Sequence, residues 1–380
     1  MKTVSIRECN DYIYEDIKIS FNKMIEDIGG LEKYIKKGSK VLIKLNLLMK
    51  KRPEEATTTH PLVLKALAEE LLKLDCEVIV GDSPGGPYTE KVLKGVYKAC
   101  GIEDIANELD IKLNYDTSEI KVENKEGKIL KYLTVIKPVE DVDHVISLCK
   151  LKTHVMATYT GGVKNLFGVI PGMAKAEYHF KMPDLKDFTD ALVDICEYVK
   201  PTLTIMDGII GMEGEGPSAG IPRKVGLLIG SSNPYALDVV GCKIINLDPK
   251  TVPTVQRSLE RKLLKEDFSD IIIVGEKLED KIIKDYKIPK NRNINFFKGK
   301  IPKVFEQYIT LFFTPKPAIR YKDCVKCGEC ARVCPAKTID MNDKGPNINL
   351  NSCIRCYCCH ELCPKKAIDV KRPFVFRYIK

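Results

Sequence analysis

Short apolar runs alternate along the first 240 residues with stretches of helical periodicity. SKVLIKLNLL (39–48), CEVIVGDSPGG (76–86) and DHVISLCKLKTH (143–154) each read as a buried strand that ends in polar or glycine-rich residues. PTLTIMDGI (201–209) and KVGLLIG (224–230) repeat the theme. Between them, PLVLKALAEELLKL (61–74) places apolar residues at helical spacing behind Pro61 in the first turn, and residues 89–109 continue in the same way. Strands alternating with helices predict an α/β fold, with a mostly parallel sheet covered by helices on both faces. In such sheets ligands bind beyond the carboxyl ends of the strands. Lys44, Asn46, Asp82, Ser83, His154 and Asp207 collect at those predicted ends.

The pattern also divides the chain. Residues 112–136 break into short strands with turns, an expected antiparallel insertion, and residues 255–300 are charged and mixed without a motif. Pro302, Pro315 and Pro317 bracket a linker. The expected organisation is an α/β domain over 1–300, a linker over 301–320 and a small C-terminal α+β domain over 321–380. VFEQYITLFF (304–313) is too short to cross a bilayer and is expected to pack at the domain junction.

Composition narrows the function classes. The chain has 380 residues and a formal charge of +9, but residues 321–380 carry 12 Lys+Arg against 6 Asp+Glu. The other 320 residues are nearly neutral, so no nucleic-acid footprint is expected. The first residues, MKTVSIRECN, hold no apolar run of signal length, and no stretch reaches the length of a membrane span. High Lys, Glu and Ile with no Trp resembles a thermophile's composition. Six scattered cysteines (Cys9, Cys76, Cys100, Cys149, Cys196 and Cys242) show no pairing pattern, which points to a reducing, cytoplasmic setting.

The other nine cysteines carry the clearest chemistry. Cys324, Cys327, Cys330 and Cys334 precede Pro335, and Cys353, Cys356, Cys359 and Cys363 precede Pro364. This doubled C-x2-C-x2-C-x3-C-P predicts two [4Fe–4S] clusters. Three cysteines at intervals of three wrap one corner of a cube, while the fourth points away and ligates the other cube. The expected sets are Cys324, Cys327, Cys330 and Cys363 for one cluster, and Cys334, Cys353, Cys356 and Cys359 for the other. Two structural zinc sites are the alternative, although zinc ribbons space their cysteine pairs widely. Bridge geometry cannot be met by every pair in so dense a run. Cys358 breaks no ligand spacing and reads as a small buried residue or a sulfur near the cluster.

In the body, GGVKNLFGVIPGM (161–173) is the most suggestive stretch. Gly161 and Gly162 would let the backbone approach a ligand, with Lys164 projecting into the same space. Three of the five histidines, His144, His154 and His179, fall close to it. The catalytic candidates are Lys164, His154 and His179. The substrate-binding candidates are Lys44, Asn46, Asp82, Ser83, Gly161 and Gly162. Asp207, Glu213 and Glu215 are further acid/base candidates. GEGPSAG (214–220) is expected to be a mobile loop over the site.

Residues 321–380 resemble the bacterial two-cluster ferredoxins, and CPAKTID (334–340) answers CPKKAID (363–369). The body resembles the domain-of-unknown-function 362 family through KLN (44–46), GDSPGG (81–86), LKTH (151–154), GGVKNLFGVIPG (161–172), DGIIGMEGEGP (207–217) and NPYALD (233–238). A fainter similarity links it to the catalytic domain of lactate racemase. That similarity implies Lys164 as the anchor of a nickel pincer cofactor, His179 as a nickel ligand and His154 as acid/base. The chain departs from that family where GDSPGG stands in place of Gly-Asp followed by histidine, threonine and arginine. Three functions stay open: an oxidoreductase whose clusters relay electrons to a site in the body, a non-catalytic carrier or assembly scaffold, and a nickel or racemase-like non-redox enzyme. The partner is either a redox protein or a small-molecule substrate.

Overall fold

The computed structural model describes residues 1–289 and 314–372. The chain runs β1 (Lys2–Glu8), α1 (Tyr14–Asp27), β2 (Lys40–Lys44), α2 (Pro61–Lys73), β3 (Glu77–Gly81), α3 (Glu90–Ala99), α4 (Ile102–Leu109) and β4 (Lys112–Leu113). It continues through β5 (Glu119–Glu123), β6 (Tyr132–Ile136), β7 (His144–His154), β8 (Thr158–Thr160), α5 (Gly162–Asn165), α6 (Ala174–Lys181) and α7 (Leu185–Val199). The body closes with β9 (Leu203–Glu213), β10 (Ile221–Ser231), α8 (Pro234–Ile244), α9 (Pro253–Glu260) and β11 (Ile271–Gly275).

Nine strands form one sheet in the order β11-β1-β10-β9-β7-β2-β3-β4, with β8 paired to β7. From β9 to β4 the neighbours are parallel. The expected α/β fold is present, with one difference: KVGLLIG lies in β10, which runs antiparallel to both β1 and β9. Apolar side chains fill both faces. Ile17, Phe21, Leu64, Leu67 and Tyr97 pack on one side, and Phe167, Phe188, Leu192, Val240 and Val255 on the other. Each fully buried side chain of this size contributes about 1.5–3 kcal/mol relative to exposure.

Local chemistry sets the helix starts. Pro61 occupies the first turn of α2 while His60 accepts the Leu62 amide, Thr89 caps α3, and Asn233 caps α8 ahead of Pro234. The helical stretch 89–109 is two helices, because Gly101 between them has φ of +70°. Residues 112–136 hold the antiparallel pair β5–β6, while β4 joins the main sheet parallel to β3.

The tail adds two antiparallel pairs. They are β12 (Lys316–Ile319) with β15 (Ile368–Lys371), and β13 (Ile339–Asn342) with β14 (Gly345–Ile348). Residues 316–319, assigned to the linker from the sequence, thus belong to the tail's own sheet. The remaining linker through 313, including Pro302, and the apolar run 304–313 lie outside the described residues. Ile339 and Ile368 form a very small core around Cys330 and Cys359, so bound clusters would act as staples.

The tail docks on the body beside the end of β7. Tyr357 and Val370 pack with Val155 and Met156. The Ser218 hydroxyl donates to the Glu361 carbonyl at 2.5 Å, and Arg372 pairs with Glu215 at 2.9 Å. The loop 214–218 is therefore clamped between β7 and the tail, with Val155 N–H donating to the Gly216 carbonyl at 3.0 Å.

Candidate functional site

The central parallel strands set the site's floor. Lys44 ends β2, in register with Gly81 of β3 and Ser147 of β7. Beyond Gly81 the chain turns through Asp82 and Ser83. On β7, Lys150, Lys152 and His154 recur at a spacing of two and so share one face of the strand.

Lys44 and Asp82 form a buried ion pair at 2.8 Å. The Lys44 ammonium also donates to Leu45 carbonyl at 2.7 Å and to Asn165 Oδ1 at 3.1 Å. Asp82 accepts the Leu47 and Ser83 amides at 2.6 and 2.9 Å. Behind them the Lys152 ammonium donates to Asn46 Oδ1 at 2.6 Å and Thr57 carbonyl at 2.7 Å. Lys150 is tied to Asp207 at 2.8 Å and to Tyr12, so this pair is a separate buried network.

Lys44, Asn46 and Asp82 border a cavity of about 100 Å³ between body and tail. Its body walls include Lys44, Asn46, Asp82, Ser83, Lys164, Lys175 and His179, and its tail wall includes Cys358, Glu361 and Leu362. The turn Cys358–Glu361 projects into the body, with Leu362 packed on Gly85.

The structure fixes the tautomer of His154. Its Nδ1 accepts the Met156 and Ala157 amides at 3.0 and 3.2 Å, so the proton sits on Nε2, which lies 3.0 Å from Glu361 Oε1. Burial pushes the imidazole down to about 4, and Lys164 adds to that. Burial alone would raise the Glu361 carboxyl, but His154 and Lys164 together hold it well below the usual range. The pair at neutral pH is thus a neutral imidazole facing a carboxylate. His179, stacked on Phe188 with ring centroids 4.2 Å apart, is also pushed down to about 4 by burial.

The lysines respond to the same burial. It lowers Lys44 against the pull of Asp82, and Lys164 against that of Glu361. Lys152 is brought to about 7 by burial and by Lys164 and Lys150, and Lys175 to about 7 by burial. Such lowered ammonium groups, gathered at one cavity, suit anion binding or proton transfer.

Of the sequence candidates, Lys44, Asn46, Asp82, Ser83, Lys164 and His179 line the cavity, and His154 reaches it through Glu361. Gly161 and Gly162 lie elsewhere. A Cβ on Gly161 would sit 2.1 Å from Asp238 Oδ1, and the Gly162 amide donates to that carboxylate at 2.6 Å. These two glycines seat α5 against α8. The close approach occurs instead at Gly168, where a Cβ would lie 2.2 Å from Asp82 Oδ1 and 2.4 Å from Lys44 Nζ. Lys152, Lys175, Gly168 and Glu361 were missed from the sequence. The alternation K-x-K-x-H on β7 was the available signal for Lys152, whereas nothing local marked Glu361.

In the tail, Cys324, Cys327, Cys330 and Cys363 line a single cavity with Met341, Pro346 and Ile368. Cys353, Cys334 and Cys356 are the near neighbours that act on Cys359, together with Cys330. Among the described residues no three His, Cys, Asp or Glu side chains converge tightly enough to hold a single metal ion. Four cysteines lining one cavity suit the wider footprint of an iron–sulfur cube, so Cys324, Cys327, Cys330 and Cys363 fit that group.

Residues 316–364 match the 4Fe-4S dicluster domain, and the tail accordingly binds iron–sulfur. The chain is 33% identical over 297 residues to the thylakoid-associated protein sll1697 of Synechocystis sp., covering 76% of this chain and 88% of that protein. Among solved structures it is similar to a Thermotoga maritima protein (TM-score 0.35, 19% identity, 60% of this chain and 57% of that one). It is also similar to the lactate racemase apoprotein of Thermoanaerobacterium thermosaccharolyticum (TM-score 0.40, 14% identity, 62% and 55%). The chain thus spans little over half of either structure. Residues 41–243, more than half of the chain, match the domain of unknown function DUF362, and the chain belongs to that family.

Proposed function

We propose that the chain is an iron–sulfur oxidoreductase acting on a small molecule held in the cavity between tail and body. The supporting observation is the shared wall: the turn Cys358–Glu361 carries the ligand candidate Cys359 and also presents Cys358 and Glu361 to the cavity, opposite Lys44, Lys164 and His179. Two [4Fe–4S] clusters, held by the two four-cysteine sets, supply single electrons when bound.

The chain's own residues do the rest. Lys44 and Asp82 hold the floor rigid, and Gly168 keeps it open to the ligand. Lys164 and Lys175 orient the substrate. Lys175, brought to about 7 by burial, supplies or takes the proton that accompanies reduction or oxidation, while His154 holds Glu361 in place through its Nε2 proton. Leu362, packed on Gly85, closes one side of the cavity. We assign the chain to a reducing, cytoplasmic compartment, since all six cysteines of the body are buried free thiols. An external redox protein would load the clusters.

The test is a single-turnover reoxidation. Anaerobic protein is reduced, freed of reductant and mixed with a low-molecular-mass cell extract while cluster absorbance is followed. The expected result is reoxidation by the wild-type protein and a loss of about tenfold or more in Lys164→Gln, on the scale of one charge-assisted contact. Equal reoxidation in both would favour a carrier whose body takes no part.

A further inference from the structure

We propose that the cavity's ligand is a compact oxyanion carrying two negative charges, a dicarboxylate or a phosphate-like group. This deepens the oxidoreductase reading and rests on it for the ligand's role, though not for its binding.

The argument is a charge balance. Lys44, Lys164 and Lys175 border the cavity, and Lys152 stands directly behind Asn46. Only Asp82 and Glu361 oppose them as carboxylates there. Asp82 is committed to Lys44 and two backbone amides, and Glu361 Oε1 faces His154. Both nearby histidines, His154 and His179, are buried. The Glu361 charge acts on Lys164, whereas Lys175 and Lys152 have only neutral partners. Lys175 donates to the Ser83 carbonyl and hydroxyl at 2.8 and 2.9 Å, and Lys152 to an amide oxygen and a carbonyl. Lys164 reaches over the Phe167 ring, 5.9 Å from its centroid. Once Lys152 and Lys175 are protonated, two positive charges lack a carboxylate, and an anion entering the cavity supplies the partner that buried charges require.

The size fits as well. A cavity of about 100 Å³ has room for a small anion. Gly168 and Gly172 line it and are packed too closely for a side chain: a Cβ on Gly172 would lie 2.6 Å from the Gly86 carbonyl.

The experiment measures binding of sulfate and of malonate to the oxidised, fully loaded protein by calorimetry, with chloride as control. No electrons move, so its outcome is independent of the redox reading. The expected result is that at least one dianion binds about tenfold or more tighter than chloride. Sulfate ahead of malonate would point to a phosphate-like ligand, and the reverse to a dicarboxylate. Lys175→Gln and Lys164→Gln should each weaken the preferred ion by about tenfold while Lys164→Arg retains most of it. Iron content, measured on each variant, guards against misfolding. Binding no tighter than chloride, or unchanged in both glutamine variants, would overturn the proposal. Anion binding without reoxidation would leave this site standing and remove the oxidoreductase reading.

Discussion

At the residue scale, the site depends on a few atoms held without slack. Gly168 is the clearest case. The Lys44 ammonium already has three partners, and Asp82 accepts two amides besides, so neither can withdraw from an added methyl. Gly168→Ala should lower unfolding stability by about 2–4 kcal/mol through strain on a buried ion pair. Denaturant unfolding of the loaded protein would measure it, and a change below about 0.5 kcal/mol would show that the floor yields. A second prediction concerns pH. The charged and titratable groups that face the ligand are Lys44, Asp82, Lys164, Lys175, His179, Cys358 and Glu361, with Lys152 and His154 behind them. Lys152 and Lys175, each near 7, are largely neutral above that pH and protonated below it. The histidines, near 4, stay neutral throughout. Sulfate is dianionic across the range, so its affinity should rise several-fold as pH falls from about 8 to about 6, with proton uptake on binding. Affinity that is flat or falls over that interval would contradict this charge assignment.

At the element scale, most of the body could be read from the chain because its signals are local. Apolar runs that end in Lys44, Asp82 and His154 mark parallel strands, and the strand ends mark the site. The direction of β10 could not be read in this way, since an apolar strand looks the same whichever way its neighbours run. Which glycines approach a ligand was equally hidden: GGVKNLFGVIPG offers four, and only the packing of α5 on Asp238 separates Gly161 and Gly162 from Gly168 and Gly172. The contact between tail and body had no local mark at all, because Glu361 and His154 stand far apart in sequence and meet only through docking. That contact can be tested. A Cβ at Gly85 would lie 2.4 Å from Leu362 Cδ2, so Gly85→Val should wedge the tail away. Iron content should stay at the wild-type level while sulfate or malonate binding weakens about tenfold. Binding unaffected by the wedge would mean that the tail does not complete the cavity.

At the scale of the whole molecule, the tail has two tasks that meet in one turn. The tail binds iron–sulfur and its Cys358–Glu361 turn walls the cavity, so on the proposed reading the electron source and the ligand share that wall. If the fourth cysteine of each motif serves the other cluster, Cys363→Ser should disturb the cluster of Cys324, Cys327 and Cys330. Cys334→Ser should disturb the one held by Cys353, Cys356 and Cys359. Each variant should lose up to about half of the roughly eight irons, and Cys358→Ala should lose none. Iron analysis with Mössbauer spectra would decide the assignment, and equal loss in Cys358→Ala would make that cysteine a ligand. The most direct test of the coupling is rapid-freeze paramagnetic resonance. The reduced protein is mixed with the extract fraction that reoxidises it, and each cluster's signal is followed in time. The account predicts that both signals decay, that of the cluster holding Cys356 and Cys359 first, and that Lys164→Gln slows both decays about tenfold or more. Signals that persist, or that decay equally fast in the variant, would contradict it.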